Sequence, residues 1–256
     1  EKQKQTLEQR YPIRYRRSHR VPVQLIVRGN ALRIRFFVKY TRRFYRFFPG
    51  SDISYADIFE ASIRSNWSGK YILPWLDDDG YERAKARASF RVLTNDNDPP
   101  NEAVRPDPAA VRVAVEFVRK KSKEARALYP RQRFFKVRFS SFRYMPSHVV
   151  SSPWRWFWGI FRAAEVEALQ LNWSINHPGR IIMQKGLSRL SFQQTSAHEI
   201  GHLLGIGDAY GANYRFFYEA PGTSHYMMCH NKRVQPEEIE MAITAHFWGK
   251  MQYFPK

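Results

Sequence analysis

Residues 197–210 read AHEIGHLLGIGDAY and predict a helix that ends in a sharp turn. His198 and His202 are four positions apart, so on a helix both imidazoles project from one face, one turn apart. At that spacing two ring nitrogens can reach a single zinc ion. Glu199 lies between the histidines, beside the metal, where its carboxylate can take a proton from water on the metal.

The residues after this helix supply a third ligand. Gly205 and Gly207 let the chain turn sharply and come back, and Asp208 can then return to the metal. Three protein ligands plus one water are typical of a catalytic zinc site, whereas four ligands close a structural site. The alternative is an amphipathic core helix with two hydrogen-bonded histidines. The signals that define the helix favour the zinc site.

Those helix signals lie on both sides of the motif. Ser191 and Gln194 have the spacing of a capping box, which predicts a helix over 191–204. Its apolar face is separate from the metal-facing residues and consists of Ala197, Ile200, Leu203 and Leu204.

The motif resembles the extended zinc motif of the metzincin metallopeptidases, in the variant that has aspartate where most members have a third histidine, as in the secreted snapalysins. The matching residues are His198, Glu199, His202, Gly205 and Asp208. The resemblance covers about residues 180–247. It implies an α+β, zincin-like catalytic domain with a mixed twisted sheet, a Zn²⁺ cofactor and a protein or peptide substrate.

Metzincins also place a methionine beneath the metal in a tight turn, and residues 224–229 are the candidate for this methionine turn. The spacing onward to the next helix favours Met228, with Met227 as the alternative. That helix is predicted over 236–247, because Pro236 stands at its first turn and acidic residues follow near its positive end.

Upstream of the motif, the pattern predicts alternating strands and helices. A hairpin is predicted over 21–40 around Gly29-Asn30, and a helix over 55–67. Strands are predicted over 111–118, 133–140 and 180–184, with a short helix over 120–128. The predicted organisation is a basic N-terminal arm and β-hairpin over 1–50, either separate or part of the same domain. A metallopeptidase domain over 51–256 follows, with insertions at 74–110 and 141–179.

Two segments allow more than one interpretation. Residues 33–48 interleave cations with aromatic side chains, as base stacking with phosphate contact requires. A half-buried strand has the same alternation and is favoured, and a role at a membrane surface is the third interpretation. Three tryptophans within 154–158 could line a substrate cleft or insert into an interface. Packing of these side chains in the core, beneath the long connection, is slightly favoured.

Composition bounds the partners and the compartment. The chain of 256 residues has a formal net charge of +19, which favours anionic partners such as nucleic acid or an anionic surface. One cysteine, Cys229, excludes an internal disulfide and does not settle the compartment. No segment has the length of a membrane span and no signal peptide is visible. The start at Glu1 suggests a mature form or an excised piece of a longer protein, so the absence of a targeting signal means little. A secreted or delivered effector is favoured.

Three classes of function remain open at this point. The first is a zinc endopeptidase with Glu199 as general base. The second is a zinc protease that acts on proteins bound to nucleic acid and uses its basic surface to contact that nucleic acid. The third is a binding protein on a peptidase scaffold that no longer catalyses. The oligomeric state and the cleavage preference are not predicted.

Overall fold

A computed structural model describes residues 6–73, 110–152, 171–209 and 222–254. Within these ranges the fold is α+β, with helices packed against a mixed sheet. The strands are β1 (Val23–Arg28), β2 (Ala31–Tyr40), β3 (Gly69–Tyr71), β4 (Val111–Arg119), β5 (Phe135–Phe139), β6 (His148–Val150) and β7 (Arg180–Met183). The α-helices are α1 (Leu7–Arg10), α2 (Tyr55–Trp67), α3 (Lys123–Leu128), α4 (Arg189–Leu203), α5 (Met227–His230) and α6 (Pro236–Trp248). Single 3₁₀ turns cover Ser18–Arg20 and Arg42–Tyr45.

The strands described above form one sheet in the order β3-β4-β2-β5-β7-β6. Strand β1 lies off this path and pairs with the first part of β2, whereas β5 pairs with the last residues of β2. The pairs β2–β4, β2–β5 and β5–β7 are parallel. The pairs β1–β2, β3–β4 and β6–β7 are antiparallel, which makes the sheet mixed as predicted.

The hairpin predicted over 21–40 is confirmed, with Arg28 paired to Ala31 across a two-residue turn. Gly29 has φ 55°, a backbone conformation that glycine adopts without steric cost. The turn fixes the register, so Leu25 pairs with Ile34 and both side chains are buried.

Residues 33–40, half of the basic and aromatic segment 33–48, lie in strand β2, which confirms the half-buried strand for that half. Arg42–Tyr45 form a 3₁₀ turn, and Tyr45 and Phe47 are exposed. The aromatic side chains of β2 at Phe36, Phe37 and Tyr40 are at most 3% exposed, so they pack in the interior. Arg33 and Arg35 project from the strand toward Glu116 on β4. These aromatic rings are therefore not a surface on which bases could stack.

Helix α2 holds α4 in place through two side chains that bond to the α4 backbone. The buried indole of Trp67 donates to the carbonyl of Ala197 at 2.8 Å, and the Ser62 hydroxyl donates to the carbonyl of Gln193 at 2.6 Å. Trp67 is fully buried, so the contact combines apolar burial with a satisfied indole N–H.

Residues before β1 pack on the body of the protein. Leu7 is fully buried in the same apolar core as the sheet and helices. The Tyr15 hydroxyl accepts a hydrogen bond from the Leu25 N–H at 2.9 Å and lies 2.9 Å from Nδ1 of His246 on α6. The N-terminal segment thus contacts both the hairpin and the last helix.

The structure corrects several predicted boundaries. Helix α4 begins at Arg189 rather than 191, because the Ser188 hydroxyl accepts the N–H of Ser191; the capping box predicted at Ser191 is therefore wrong. Strand β6 lies inside the insertion predicted over 141–179, and pairing with β7 stabilises it. Helix α3 and strand β5 are shorter than predicted. The insertion predicted at 74–110, apart from its last residue, and the tryptophan cluster 154–158 lie outside the described residues.

The described residues contain no helix that is both long enough and apolar enough to span a membrane.

Candidate metal centre

Three side chains predicted as metal ligands come together at the end of α4. One potential ligand atom from each of His198, His202 and Asp208 lies within 4.8 Å of the other two. The Oδ1 atom of Asp208 is 3.1 Å from Nε2 of His198 and 3.4 Å from Nε2 of His202. The two imidazoles stand nearly perpendicular, with ring centroids 5.1 Å apart. The three side chains could hold one metal ion.

Backbone carbonyls fix the orientation of both imidazoles. Nδ1 of His198 is 3.0 Å from the carbonyl oxygen of Met227, and Nδ1 of His202 is 2.9 Å from that of Ile206. A carbonyl can only accept, so each Nδ1 carries the proton and donates it. In the neutral ring Nε2 is then the atom with a free lone pair, and both Nε2 atoms face Asp208. Metal-binding histidines have this arrangement, with one nitrogen for the metal and the other for a fixed acceptor.

The turn after α4 is a Schellman motif. The N–H of Gly205 donates to the carbonyl of His202 at 3.0 Å, and the N–H of Ile206 donates to that of Gly201 at 3.0 Å. Gly205 has φ 89°, which L side chains rarely adopt. Because this motif reverses the chain within a few residues, Asp208 can face the histidines of the helix it has just left.

Close packing also disfavours a side chain at Gly205 and at Gly201. A Cβ on Gly205 would lie 2.8 Å from both Ala245 Cβ and Trp173 Cζ2. A Cβ on Gly201, within the helix between the two histidines, would overlap the sulfur of Met228. Met228 is fully buried against the helix at this point.

The segment that carries Asp208 is held from both sides. Gly205 and Gly207 exchange backbone hydrogen bonds of 2.8 Å with Gln252, near the C-terminus. On the other side, the N–H of Ala209 donates to the carbonyl of Met228 at 2.9 Å. Asp208 therefore lies on a short backbone segment with fixed neighbours rather than on a free loop.

A buried carboxylate holds the first residues of α5, Met227 and Met228, in place. Glu238 of α6 is fully buried and accepts the N–H of Met228 at 2.8 Å and that of Met227 at 3.3 Å. It also closes the capping box of α6 by accepting the N–H of Gln235 at 2.7 Å. Since Met227 supplies the carbonyl that orients His198, Glu238 connects the last helix to the candidate ligands.

The charges at the centre are strongly coupled. Burial by itself lowers the pKa of His198, but Asp208, Glu199 and the Met227 carbonyl together raise it to about 9. Burial lowers the pKa of His202, and Asp208 opposes that shift. Burial raises the pKa of Asp208, and the two histidines outweigh it and hold the pKa below its usual value.

Glu199, which follows His198 in the chain, is also buried. It is 4% exposed, and burial raises its pKa to about 8, with His198 opposing and Asp208 reinforcing the shift. A cation held nearby would favour the ionised form of this carboxyl and lower that pKa.

The residues present fit a divalent cation. Among the described residues, no hydrogen bond of normal geometry reaches Glu199 Oε2 or Asp208 Oδ1, although both atoms are buried. Buried carboxylate oxygens without donors are costly unless a cation neutralises them. Two imidazole nitrogens and one carboxylate oxygen form a mixed donor set that zinc accepts, and three protein ligands leave a fourth position open.

The sequence predicted the candidate ligands but not the residue that holds the backbone next to them in place. The structure brings His198, His202 and Asp208 together, with Gly205 in the turn and Met228 against the helix. The role of Glu238 was missed, although glutamate three residues after Gln235 is a capping-box pattern that could have indicated it.

Sequence reasoning also did not predict how the neighbouring side chains pack. Trp173 packs against Gly205, and nothing in the sequence indicated that contact. Cys229 is buried beside the site.

Comparison with known proteins adds no relative, because no family model, no curated protein and no solved structure matches the chain. The resemblance to metzincins therefore stays a prediction that rests on the motif residues.

Proposed function

We propose that the chain is a zinc-dependent endopeptidase of the metzincin type. The observation that supports this most is the convergence of His198 Nε2, His202 Nε2 and Asp208 Oδ1, with both Nδ1 atoms held by backbone carbonyls. The buried carboxyl of Glu199, which follows His198 in the chain, supplies the second part of such a site.

His198, His202 and Asp208 would hold Zn²⁺, which supplies Lewis acidity to polarise the scissile carbonyl and to make an attacking water more acidic. Glu199 accepts the proton of that water at a carboxylate oxygen and passes it to the amine that leaves. Burial raises the pKa of Glu199, and a cation held at the three ligands would lower it again, so with the metal in place the carboxyl would be ionised and able to accept a proton. Glu199 is the general base and general acid of this proposal.

The experiment compares the zinc-loaded wild type with Glu199→Gln on an unbiased peptide library, with cleavage products identified by mass spectrometry. We expect internal peptide cleavage by the wild type and a loss of at least a hundredfold in the variant, since a positioned proton-transfer group contributes about 10²–10⁴-fold. Zinc content should be the same in both proteins. Near-normal activity of Glu199→Gln would remove Glu199 from the mechanism. Zinc in both proteins with no cleavage of any peptide would contradict the endopeptidase and favour a non-catalytic binding protein.

A further inference from the structure

Exposed apolar side chains are concentrated at one end of the sheet, where β2, β5 and β7 end and α4 begins. Three segments lie at this end, namely residues 41–54, 140–147 and 184–190. Among the described residues eleven large apolar side chains are exposed, and seven of them belong to these segments. The seven are Tyr45, Phe47 and Ile53 in the first segment, Phe142, Tyr144 and Met145 in the second, and Leu190 in the third.

A cluster of packed aromatic rings joins the three segments. Its members are Phe44, Phe48, Tyr55, Phe139 and Phe192. Phe44 stacks on Phe139 with ring centroids 4.5 Å apart, and Phe48 lies 6.3 Å from Phe192. The Lys185 ammonium also donates to the Ser141 carbonyl at 3.0 Å, which connects the second segment to the third. The three segments therefore form one surface, called the sheet-end face below.

The exposed side chains of the sheet-end face project away from this cluster. Phe48 is buried and Phe47, the residue before it, is 67% exposed. Phe192 is buried in the same way, while Leu190, two residues earlier on α4, is 64% exposed. Phe142 and Tyr144 are 70% and 84% exposed. The face thus presents separate apolar tips over a packed base.

The sheet-end face is also strongly cationic. Its three segments contain six cations, namely Arg42, Arg43, Arg46, Arg143, Lys185 and Arg189. Within the described part of the chain none of these six side chains forms an ion pair. The same segments contain one acidic residue, Asp52, and the next acidic residue along the chain, Asp57, is paired with Arg119.

The cations alternate with the apolar tips along the chain. Arg46 precedes Phe47, and Arg189 precedes Leu190. Arg143 stands between Phe142 and Tyr144 and lies over the Tyr144 ring, 5.9 Å from its centroid. Every apolar tip therefore has a positive charge beside it.

This alternation distinguishes between classes of partner. Nucleic acid takes cations and aromatic rings, but base stacking makes no use of exposed aliphatic side chains such as Ile53, Met145 and Leu190. A protein partner would need an apolar pocket and an acidic group opposite each separate tip. An anionic bilayer has negative headgroups over its whole surface and apolar chains directly beneath, so all the tips meet the same favourable environment.

We propose that the sheet-end face binds the surface of an anionic lipid bilayer. Phe47, Phe142, Tyr144 and Leu190 enter the boundary between headgroups and acyl chains, and the six cations stay among the headgroups. A cation near an anionic leaflet contributes about 1 kcal/mol, which is about fivefold in the binding constant. The contact is peripheral and requires no segment that crosses the bilayer.

The candidate metal centre lies away from this contact. Leu190 is the second residue of α4, and His198 and His202 follow it by eight and twelve positions. At 1.5 Å per residue they lie about 12 and 18 Å further along the helix axis. Binding through the sheet-end face therefore depends on neither the metal nor the proposed peptidase activity.

The test is sedimentation of the full chain with vesicles, without added metal, at about 0.1 M salt. One set of vesicles is phosphatidylcholine with one-quarter phosphatidylserine, and the other is phosphatidylcholine alone. The apolar variant is Phe142→Ser with Tyr144→Ser, and its control is Leu128→Ser with Trp248→Ser. All four of these side chains are at least 65% exposed, so neither double variant threatens folding.

A second pair of variants tests the charge. Arg46→Gln with Arg143→Gln removes two cations from the sheet-end face. Arg28→Gln with Arg112→Gln is the control of equal net charge, because both side chains are exposed and both residues pair with Ala31 at the other end of β2. Melting temperatures establish that the wild type and all four variants are folded.

We expect saturable binding to the vesicles that contain phosphatidylserine and at least tenfold weaker binding to phosphatidylcholine alone. Both variants of the sheet-end face should bind the anionic vesicles at least tenfold more weakly than the wild type. Each control should change binding less than twofold, since charges beyond about 10 Å from the bilayer are screened.

Four results would overturn the proposal. The first is an absence of saturable binding to the anionic vesicles, and the second is equal binding to both sets of vesicles. The third is an equal loss in the control variants, because the attraction would then belong to the overall charge. The fourth is a loss of binding to a DNA duplex in the two face variants with vesicle binding unchanged, which would identify nucleic acid as the partner.

Discussion

Gly205 is the residue on which the geometry of the candidate centre depends most. Its φ of 89° reverses the chain after α4, and its missing side chain lets Trp173 and Ala245 approach the turn. Both requirements act at one position, so a substitution there disturbs the backbone conformation and the packing together.

We expect Gly205→Ala to lower the free energy of unfolding by about 3 kcal/mol, the sum of left-handed strain and overlap with two neighbours. Gly186→Ala is the control, since Gly186 also has a positive φ of 75° but nothing lies within 4 Å of an added Cβ. That variant should lose only about 1 kcal/mol. Urea unfolding followed by circular dichroism measures both values, and equal losses would show that packing at Gly205 contributes nothing.

Asp208 sets the pH range of the proposed activity. A carboxylate donates more negative charge to a metal ion than imidazole does, so the attacking water should give up its proton at a higher pH than in a three-histidine site. Asp208→His should therefore shift the acidic limb of the activity profile to lower pH. The profile is measured on a cleaved peptide with zinc content checked in parallel, and an unchanged limb would contradict this role of Asp208.

At the scale of elements, α4 was predicted from its motif, and its start was misplaced by two residues. The sequence offers serine at both 188 and 191, and local spacing favoured Ser191 because Gln194 follows it. In the structure the Ser188 hydroxyl accepts the backbone N–H of Ser191, and among the described residues the Ser191 hydroxyl bonds only to the hydroxyl of Ser188. Which serine caps α4 depends on where the chain leaves β7 and enters the helix. The local sequence pattern does not contain that information.

Ser188→Ala should therefore cost about 1 kcal/mol of stability, the usual value of a lost N-cap. Ser191→Ala should cost only a few tenths of a kcal/mol, because no backbone donor loses its acceptor. The denaturant midpoints of the two variants, compared with that of the wild type, measure both losses of stability. A larger loss in Ser191→Ala would mean that the sequence-based cap was right.

Other elements were predictable for a clear reason. The hairpin, α2 and α6 have strong local signals in Gly29, in the apolar spacing of α2 and in Pro236, and their observed bounds are close to the predicted ones. Strands β3 and β6 have three residues each and no distinctive pattern, and they exist because β4 and β7 offer them edges. The candidate ligands were predictable because their spacing is itself the chemical requirement. Trp173 packs against Gly205 across a long separation in sequence, and the capping-box pattern of Glu238 does not by itself show that its carboxylate also reaches Met227 and Met228.

At the scale of the whole molecule, His246 joins parts of the chain that are far apart in sequence. This fully buried ring on α6 contacts Tyr15 near the N-terminus and stacks edge-on against Trp173. Its Nε2 atom has no hydrogen-bond partner among the described residues, and burial lowers its pKa to about 3. The folded protein therefore contains the neutral ring.

This burial makes the stability of the protein depend on pH. Between pH 3 and about 6.5 the unfolded chain binds a proton at His246 that the folded chain does not, so stability falls as the pH is lowered through this window. Between pH 6.5 and pH 5 the wild type should lose about 2 kcal/mol more than His246→Leu, in which the group is absent. Urea unfolding at the two pH values measures the difference. Equal losses in the wild type and in His246→Leu would contradict the account.

The central claim is that one metal ion is held by His198, His202 and Asp208, and anomalous diffraction at the zinc edge tests it most directly. Crystals grown with equimolar zinc should give one strong peak about 2.0–2.2 Å from both histidine Nε2 atoms and from an Asp208 carboxylate oxygen. A peak at other side chains, or no peak while these three side chains point apart, would contradict the metal centre and with it the proposed peptidase.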